Sequence, residues 1–408
     1  MYIFKAGVLG AGTMGAEIAQ VITYSGLPVV LKDIDQELVD RGLEKIGAIY
    51  QRRVDKGKMS PTTMAEKLDL VEGTTSYDAF SDVDIVIEAV PEDIELKKRV
   101  FQELEEVCPE GTIFASNTSA LSISEMGAAT KRSEKVIGMH FFNPAHVMKL
   151  VEVIPGLDTD QDTIDTVVSF SESLRKIPVV VQECPGFLVN RLLMPYLNEA
   201  TYCLQEGAAT ATEIDGAIVE FGMPMGPFTL MDMVVGLDIG YDVGKYLYSE
   251  YGERMRPAAL FERLYEAARY GEKARAGFYG YGDQTDEPVK EMIAQIQGET
   301  GIKGTPFSVE RCFLPLINEA ALCLQENIAS PTDIDMAMMA GTGMRKGDTP
   351  MGPLAIADEM GLDKVLAQLE EFETQFGERF RPARLLRLKV KANHLGVKTG
   401  RGFLEHAG

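Results

Sequence analysis

The pair His140 and Glu152 has the residue types and spacing of an acid–base device. His140 ends an apolar run, Gly138-Met139-His140-Phe141-Phe142, just ahead of Asn143-Pro144. Glu152 stands inside the apolar run Leu150-Val151-Glu152-Val153. An unpaired carboxylate inside an apolar strand is costly, so a partner is expected. Two adjacent strands would bring Glu152 to His140 and fix the imidazole tautomer, giving a general base oriented by an acid. That arrangement suits removal of a proton from an alcohol as hydride leaves its carbon. A satisfied core histidine beside an edge-strand glutamate is the other reading of the same residues.

A second group of residues supplies a place for the hydride to go. Gly10-Ala11-Gly12-Thr13-Met14-Gly15 follows the apolar run Ala6-Gly7-Val8-Leu9 and opens a helical pattern. Gly10 allows a tight turn, Gly12 lets backbone amides approach a diphosphate, and Gly15 permits close helix–strand packing. The amides of this turn, Thr13 and Met14 among them, meet the diphosphate at the positive end of the helix. Asp33 ends the next strand candidate, 18 residues beyond Gly15, where a carboxylate accepts both ribose hydroxyls. It would repel a 2′-phosphate, so NAD is favoured over NADP. A glycine-rich turn without a ligand is the alternative.

The elements that must hold these groups alternate. Strand candidates lie at 6–9, 28–33, 84–90, 112–116, 135–142, 149–154 and 178–182, with helical patterns at 16–24, 36–57 and 94–107. Ser122 and Glu125 have capping-box spacing, Ser122 to satisfy early amides and Glu125 to reach back. Strands separated by amphipathic helices require crossovers, hence a mainly parallel sheet covered on both faces. The fold class expected is an α/β Rossmann-type NAD-binding domain over 1–183 followed by two tandem all-α helical domains, 184–287 and 305–408.

The tandem is visible as a repeat. Asn198-Glu199-Ala200 and Leu204-Gln205-Glu206 return as Asn318-Glu319-Ala320 and Leu324-Gln325-Glu326, an offset of 120. Met225-Gly226-Pro227 returns at Met351 with an offset of 126, and Gly236-Leu237-Asp238 at Gly361 with an offset of 125. A short insertion is therefore placed near 341–349, as a glycine-rich loop, and 288–304 reads as the inter-module linker. Two copies of one helical module should pack about a pseudo-two-fold axis.

Composition excludes other classes. The 408 residues carry 40 Lys+Arg against 62 Asp+Glu, a formal charge of −22, which repels phosphate backbones and argues against nucleic-acid binding. No run of eighteen apolar residues is present, so no membrane-spanning helix is expected. The N-terminal residues run straight into a strand pattern without a signal-peptide core. The five cysteines, at 108, 184, 203, 312 and 323, form no CxxC pair. Reduced thiols, a cytoplasmic location and no metal are the expectation.

Ser116-Asn117-Thr118-Ser119, His140-Phe141-Phe142-Asn143-Pro144, Leu150-Val151-Glu152 and Gly186-Phe187-Leu188-Val189-Asn190-Arg191 together resemble the L-3-hydroxyacyl-CoA dehydrogenase family over essentially the whole chain. With its tandem tail, the chain resembles the dehydrogenase part of multifunctional β-oxidation proteins, in which a second helical module stands in for a partner subunit. The resemblance implies NAD-dependent oxidation of (S)-3-hydroxyacyl-CoA to 3-ketoacyl-CoA. It implies His140 as general base, Glu152 as its brace, Ser119 as a donor to the substrate oxygen and Asn190 as a holder of the reacting end of the acyl chain. It further implies cofactor contacts at Glu92, Lys97, Asn143 and Lys273. For Glu92 and Lys97 the alternative is an exposed helical pair. For Lys273 it is a plain surface residue, for Ser119 a turn residue, and for Asn190 a helix-terminal one.

Copy two departs from the pattern. It reads Val309-Glu310-Arg311 where copy one reads Val189-Asn190-Arg191. An ionised glutamate cannot donate a hydrogen bond, so copy two should be a scaffold and the chain should hold one active site. Arg311 would then be kept for a buried ion pair or a helix-end contact. Arg52, Arg53, Lys56 and Lys58 cluster after Asp33, and Arg52 and Lys56 would clamp coenzyme A phosphates unless they simply form a solvated helix face. The larger relatives also carry a hydratase domain, for which no room is expected here, so hydratase and thiolase partners would be separate chains. Monomer and homodimer both remain open. The competing functions are a dehydrogenase for a free hydroxy acid or sugar acid, and a crystallin-like nucleotide-binding protein.

Overall fold

The computed structural model describes residues 1–406, which divide into two compact units, Met1–Phe187 and the described residues from Leu188 onward.

In the first unit, β1 (Ala6–Leu9), α1 (Thr13–Ser25), β2 (Val29–Lys32), α2 (Gln36–Asp55), α3 (Pro61–Leu68) and β3 (Val71–Thr74) form the first half. β4 (Ile85–Glu88), α4 (Ile94–Glu105), β5 (Ile113–Ser116), α5 (Ile123–Ala128) and β6 (Val136–Phe141) follow. β7 (Leu150–Pro155), α6 (Gln161–Ser173) and β8 (Ile177–Val180) complete it. The strands make one eight-stranded sheet in the order β3-β2-β1-β4-β5-β6-β7-β8. β6 and β7 pair antiparallel and the other neighbours parallel. β1, β2, β4 and β5 are buried along their whole length, as strands covered on both faces must be. The order reverses at β1/β4, where the ends of the strands open a crevice beside the Gly10–Gly15 turn. α3 and β3 are absent from the sequence reading because residues 61–74 show no sustained apolar period.

The second unit is helical. α7 (Val189–Gln205), α8 (Ala211–Phe221), α9 (Pro227–Leu230), a π-helical turn over Met231–Val235, α10 (Leu237–Tyr251) and α11 (Ala259–Glu266) build the first module. α12 (Glu287–Thr300) follows, and α13 (Val309–Gln325), α14 (Pro331–Thr342), β9 (Arg345–Lys346) and β10 (Thr349–Pro350) open the second. α15 (Pro353–Met360), α16 (Leu362–Phe376) and α17 (Arg384–Lys391) close it. α7 packs on α13, and charges are exchanged across that seam. Arg191 of α7 reaches Glu319 of α13 and Glu326 at its C-terminal cap, at 2.8 Å each. Arg311 of α13 reaches Glu199 of α7 and Glu206 at its C-terminal cap, at 2.8 and 2.7 Å. This reciprocity is what a two-fold contact requires. It also explains the repeated Asn-Glu-Ala and Leu-Gln-Glu marks. Asn198 and Asn318 hold the turns before α11 and α17, bonding Arg256 and Ala258 or Arg381 and Ala383.

Three expectations are corrected. Residues 288–304, between the two modules, are mostly the helix α12 rather than irregular chain: Val289 and Ile296 share a face and are buried, and Gln297 donates to the Gln205 carbonyl. The polar composition hid a one-sided apolar stripe, and the connecting segment is the shorter 301–308. The insertion near 341–349 folds as a β9–β10 hairpin turning at Gly347-Asp348 rather than as an open loop. At α5, the Ser122 hydroxyl accepts from the Glu125 amide, but Glu125 turns outward to Lys98 instead of reaching back.

Candidate functional site

The Gly10–Gly15 turn is built for an anionic ligand. Gly10 has φ +92°, and a Cβ there would lie 2.5 Å from the Ala89 carbonyl oxygen; a Cβ on Gly15 would lie 1.7 Å from the Gly10 carbonyl oxygen. A Cβ on Gly12 would meet nothing within 4 Å, so open space lies above the helix start. In the same unit α2, α3, α4, α5 and α6 each begin with a side chain accepting an early amide, from Asp35, Ser60, Asp93, Ser122 and Asp160. α1, which carries Thr13 and Met14, has no such cap. Its first amides and the positive end of its dipole suit a diphosphate. Asp33, just past β2, accepts from the Ala11 and Ile34 amides at 2.6 and 2.7 Å. A carboxylate has about four lone-pair positions, so two remain for ribose hydroxyls. Ile34 beside it is 82% exposed, an apolar surface with the character of a base-stacking wall. These residues fit NAD.

His140 and Glu152 are directly opposed in the β6–β7 register, and His140 Nδ1 lies 2.7 Å from Glu152 Oε2. Glu152 is fully buried and His140 is 6% exposed, so the bond is shielded from water. An ionised Glu152 makes Nδ1 the protonated nitrogen and leaves the Nε2 lone pair as the basic position. Phe142 and Phe187 flank the imidazole, with ring centroids 4.5 and 5.9 Å away. β6 also receives a fastening from Asn117, whose side-chain oxygen accepts from the Phe141 amide.

Glu92, Lys97 and Ser119 form one connected group. Lys97 Nζ lies 2.7 Å from Glu88 and 3.3 Å from Glu92. Glu92 in turn accepts from the Thr118 hydroxyl and the Ser119 amide, at 2.5 and 2.8 Å. The exposed-pair alternative does not hold, because Lys97 is 1% exposed and Glu92 precedes α4. Burial pushes the Glu88 carboxyl up, and the Lys97 ammonium beside it pulls the other way. Glu88 thus creates the need for a buried cation, and Glu92 uses the outer side of that cation to fix the Ser119 turn. Asn143 lies exposed in the β6–β7 loop.

Arg52, Arg53, Lys56 and Lys58 line a cavity of about 430 Å³. Its opposite wall brings His146, Lys149, Arg175 and Lys176, none of which the sequence reading identified. They lie about 90 to 120 residues downstream, so no local pattern joins them to the first four. Lys176 donates to the Ala145 and Met148 carbonyls and holds the loop before β7 in place. Burial pushes its ammonium down to about 8.

In the second unit, Asn190 is the second residue of α7 and Glu310 the second residue of α13. Lys273 Nζ lies 2.6 Å from Asp238, and in the second module Lys398 lies 2.5 Å from Asp363. The pair is thus a property of the module, present also in the copy that lacks the asparagine. Arg311 is 1% exposed and fully engaged by Glu199 and Glu206, which accounts for its retention by structure alone. One difference between the copies is local and new. The offset falls from 126 to 125 between Pro227 and Gly236, and the extra residue of copy one is taken up in the π-helical turn. That turn leaves Met233 and Val234 51% and 41% exposed. π-turns of this kind are frequent at functional sites.

Known proteins share this plan. Fatty acid oxidation complex subunit alpha of Shewanella amazonensis is 41% identical over 397 residues, covering 94% of this chain and 55% of that protein. The protein of the same name from Psychrobacter arcticus is 40% identical over 384 residues, covering 91% and 53%. The chain thus spans about half the length of the curated relatives it matches. Among solved structures, 3-hydroxybutyryl-CoA dehydrogenase from Escherichia coli K12 is similar with a TM-score of 0.86 and 30% identity, covering 96% of this chain and 99% of that one. (S)-3-hydroxybutyryl-CoA dehydrogenase from Ralstonia eutropha is similar with a TM-score of 0.67 and 41% identity, covering 69% and 100%. Among the described residues no helix is long and apolar enough to cross a membrane. Residues 5–184 match the NAD binding domain of 3-hydroxyacyl-CoA dehydrogenase, and residues 186–281 and 307–406 match its C-terminal domain twice, so the chain belongs to the 3-hydroxyacyl-CoA dehydrogenase family.

Proposed function

We propose that the protein oxidises the 3-hydroxyl of (S)-3-hydroxyacyl-CoA thioesters to the 3-ketone, reversibly, with NAD. The observation that carries this reading is the buried His140–Glu152 pair, in the same unit as the uncapped start of α1 and Asp33. The chemistry that NAD supplies when bound is acceptance of the hydride from the carbinol carbon. His140 takes the hydroxyl proton at Nε2, while Glu152, bonded to Nδ1, holds the ring in that tautomer and stabilises the imidazolium that forms. Ser119, on the turn fixed by Glu92, donates to the substrate oxygen. Phe142 and Phe187 keep water from the imidazole.

The cavity lined by Arg52, Lys56 and Lys176 takes the phosphates of the coenzyme A carrier, which reconciles a phosphate-rich substrate with an acidic protein. The roles of Asn190 and Lys273 rest on the resemblance alone. The hydration that forms the 3-hydroxyacyl thioester and the thiolysis that cleaves the 3-keto product would fall to active sites other than this one. NADH formation with (S)-3-hydroxyacyl-CoA, measured beside the (R) isomer and the free hydroxy acid, tests the reading. Activity on the free acid at comparable kcat/KM would sink it.

A further inference from the structure

The α7–α13 seam encloses a second cavity, of about 660 Å³, within the range of small-ligand sites. Pro195 and Pro315, at matching positions of the two helices, contribute to its walls, but its floor is not symmetric. Arg381, Arg384 and Arg387 line it, whereas Arg256, Ala259 and Glu262, their counterparts at an offset of 125, do not. Copy two has therefore gained an arginine where copy one has Ala259 and exchanged a glutamate for an arginine at the position of Glu262.

Internal pairing does not use these charges up. In copy one Arg256 closes on Glu253 at 2.6 and 2.7 Å, but Arg381 stands 3.6 Å from Glu378. Arg387 lies 3.6 Å from Glu370 and Glu373, and the Arg384 guanidinium has no hydrogen bond or ion pair among the described residues. Arg254 and Arg379 on the same cavity are already engaged, by Glu319 and Glu199. Glu253, Glu319 and Glu378 line the same cavity, but five arginines outnumber them, and in a chain with 62 carboxylates against 40 cations that local excess calls for an anion. Guanidinium forks match phosphate oxygens bidentately, and three of them are more than one phosphate needs.

We propose that this cavity binds a ligand carrying a diphosphate, at a site separate from the basic cavity of the first unit. Calorimetric titration of the full chain with inorganic pyrophosphate at low salt tests it, using an Arg52→Ala/Lys56→Ala background to weaken the first basic cavity. Pyrophosphate should still bind this background saturably. Adding Arg384→Ala and Arg387→Glu, the residue types of copy one, should weaken binding at least tenfold. Arg384→Gln alone, which removes the charge but keeps a polar side chain, should weaken it in the same direction, with NADH binding as the check on folding. ADP and coenzyme A are then competed against pyrophosphate, and whichever displaces it identifies the source of the diphosphate. The proposal is overturned if the background protein binds no pyrophosphate, if the two arginine substitutions leave the isotherm unchanged, or if neither nucleotide competes.

Discussion

His140 and Glu152 sit opposite one another on β6 and β7, Nδ1 to Oε2 at 2.7 Å, with the carboxylate fully buried. If this pair is the acid–base device, His140→Gln should lower kcat by about 10³-fold, within the range for a lost general base, while NADH binding is kept. Glu152→Gln retains an acceptor for Nδ1–H but not the charge, and its loss should be smaller, about 10²-fold. Steady-state rates and NADH fluorescence titrations give both values. Near-normal turnover in His140→Gln would remove the histidine from the mechanism.

Asp33 accepts the Ala11 amide and has lone pairs left over. Asp33→Asn keeps an acceptor for Ala11 but removes the charge that repels a 2′-phosphate. The ratio of kcat/KM for NAD over NADP should fall by about tenfold or more, roughly 1.4 kcal/mol of discrimination. An unchanged ratio would place the discrimination elsewhere.

Lys176 titrates within a usable range, since burial pushes its ammonium down to about 8. Below that pH it adds a positive charge to the cavity lined by Arg52 and Lys56, and above it the charge is gone. KM for a coenzyme A thioester should rise as pH passes upward through about 8, while a truncated thioester without the nucleotide shows no such step. Lys176→Met should abolish the step. The linkage to stability runs the other way. The unfolded chain binds this proton up to its ordinary value of 10.5, so stability rises with pH between about 8 and 10.5.

Arg191 is fully buried and its partner Glu319 is 3% exposed. Removing one member of a buried pair strands the other and costs about 3–5 kcal/mol. Arg191→Met should fall at the low end, because Arg254 still reaches Glu319 at 3.2 Å. The double substitution Arg191→Met/Glu319→Leu should recover most of the loss, since no lone charge is left buried. Guanidinium unfolding of the four proteins of that cycle measures the coupling.

Glu310 marks the copy that lacks the asparagine. Glu310→Ala should leave turnover within about twofold of the parent, a surface-like change away from the chemistry. A large loss without unfolding would give the second module a part in catalysis.

What the sequence reveals here is what its chemistry keeps close together. The Gly10–Gly15 turn and Asp33 are legible because one strand–helix–strand unit holds them all. The pairing of His140 with Glu152 follows from two apolar runs twelve residues apart, each carrying one polar residue. Lys176 meets Lys56 only through the fold, so no pattern announces their shared cavity. α12 was hidden by its polar face, and the π-turn at Met231–Val235 was present only as a one-residue fall in the repeat offset. The burial of Lys97 is not legible in the sequence because its counter-charge, Glu88, lies in a different element.

The crossed arginine–glutamate seam joins two halves of one polypeptide, so dilution has no hold on it. An interface between separate subunits weakens as concentration falls, whereas here the second half is always delivered by the first. Its persistence depends on the continuity of residues 301–308, and a proteolytic nick there would make a unimolecular contact answer to mass action.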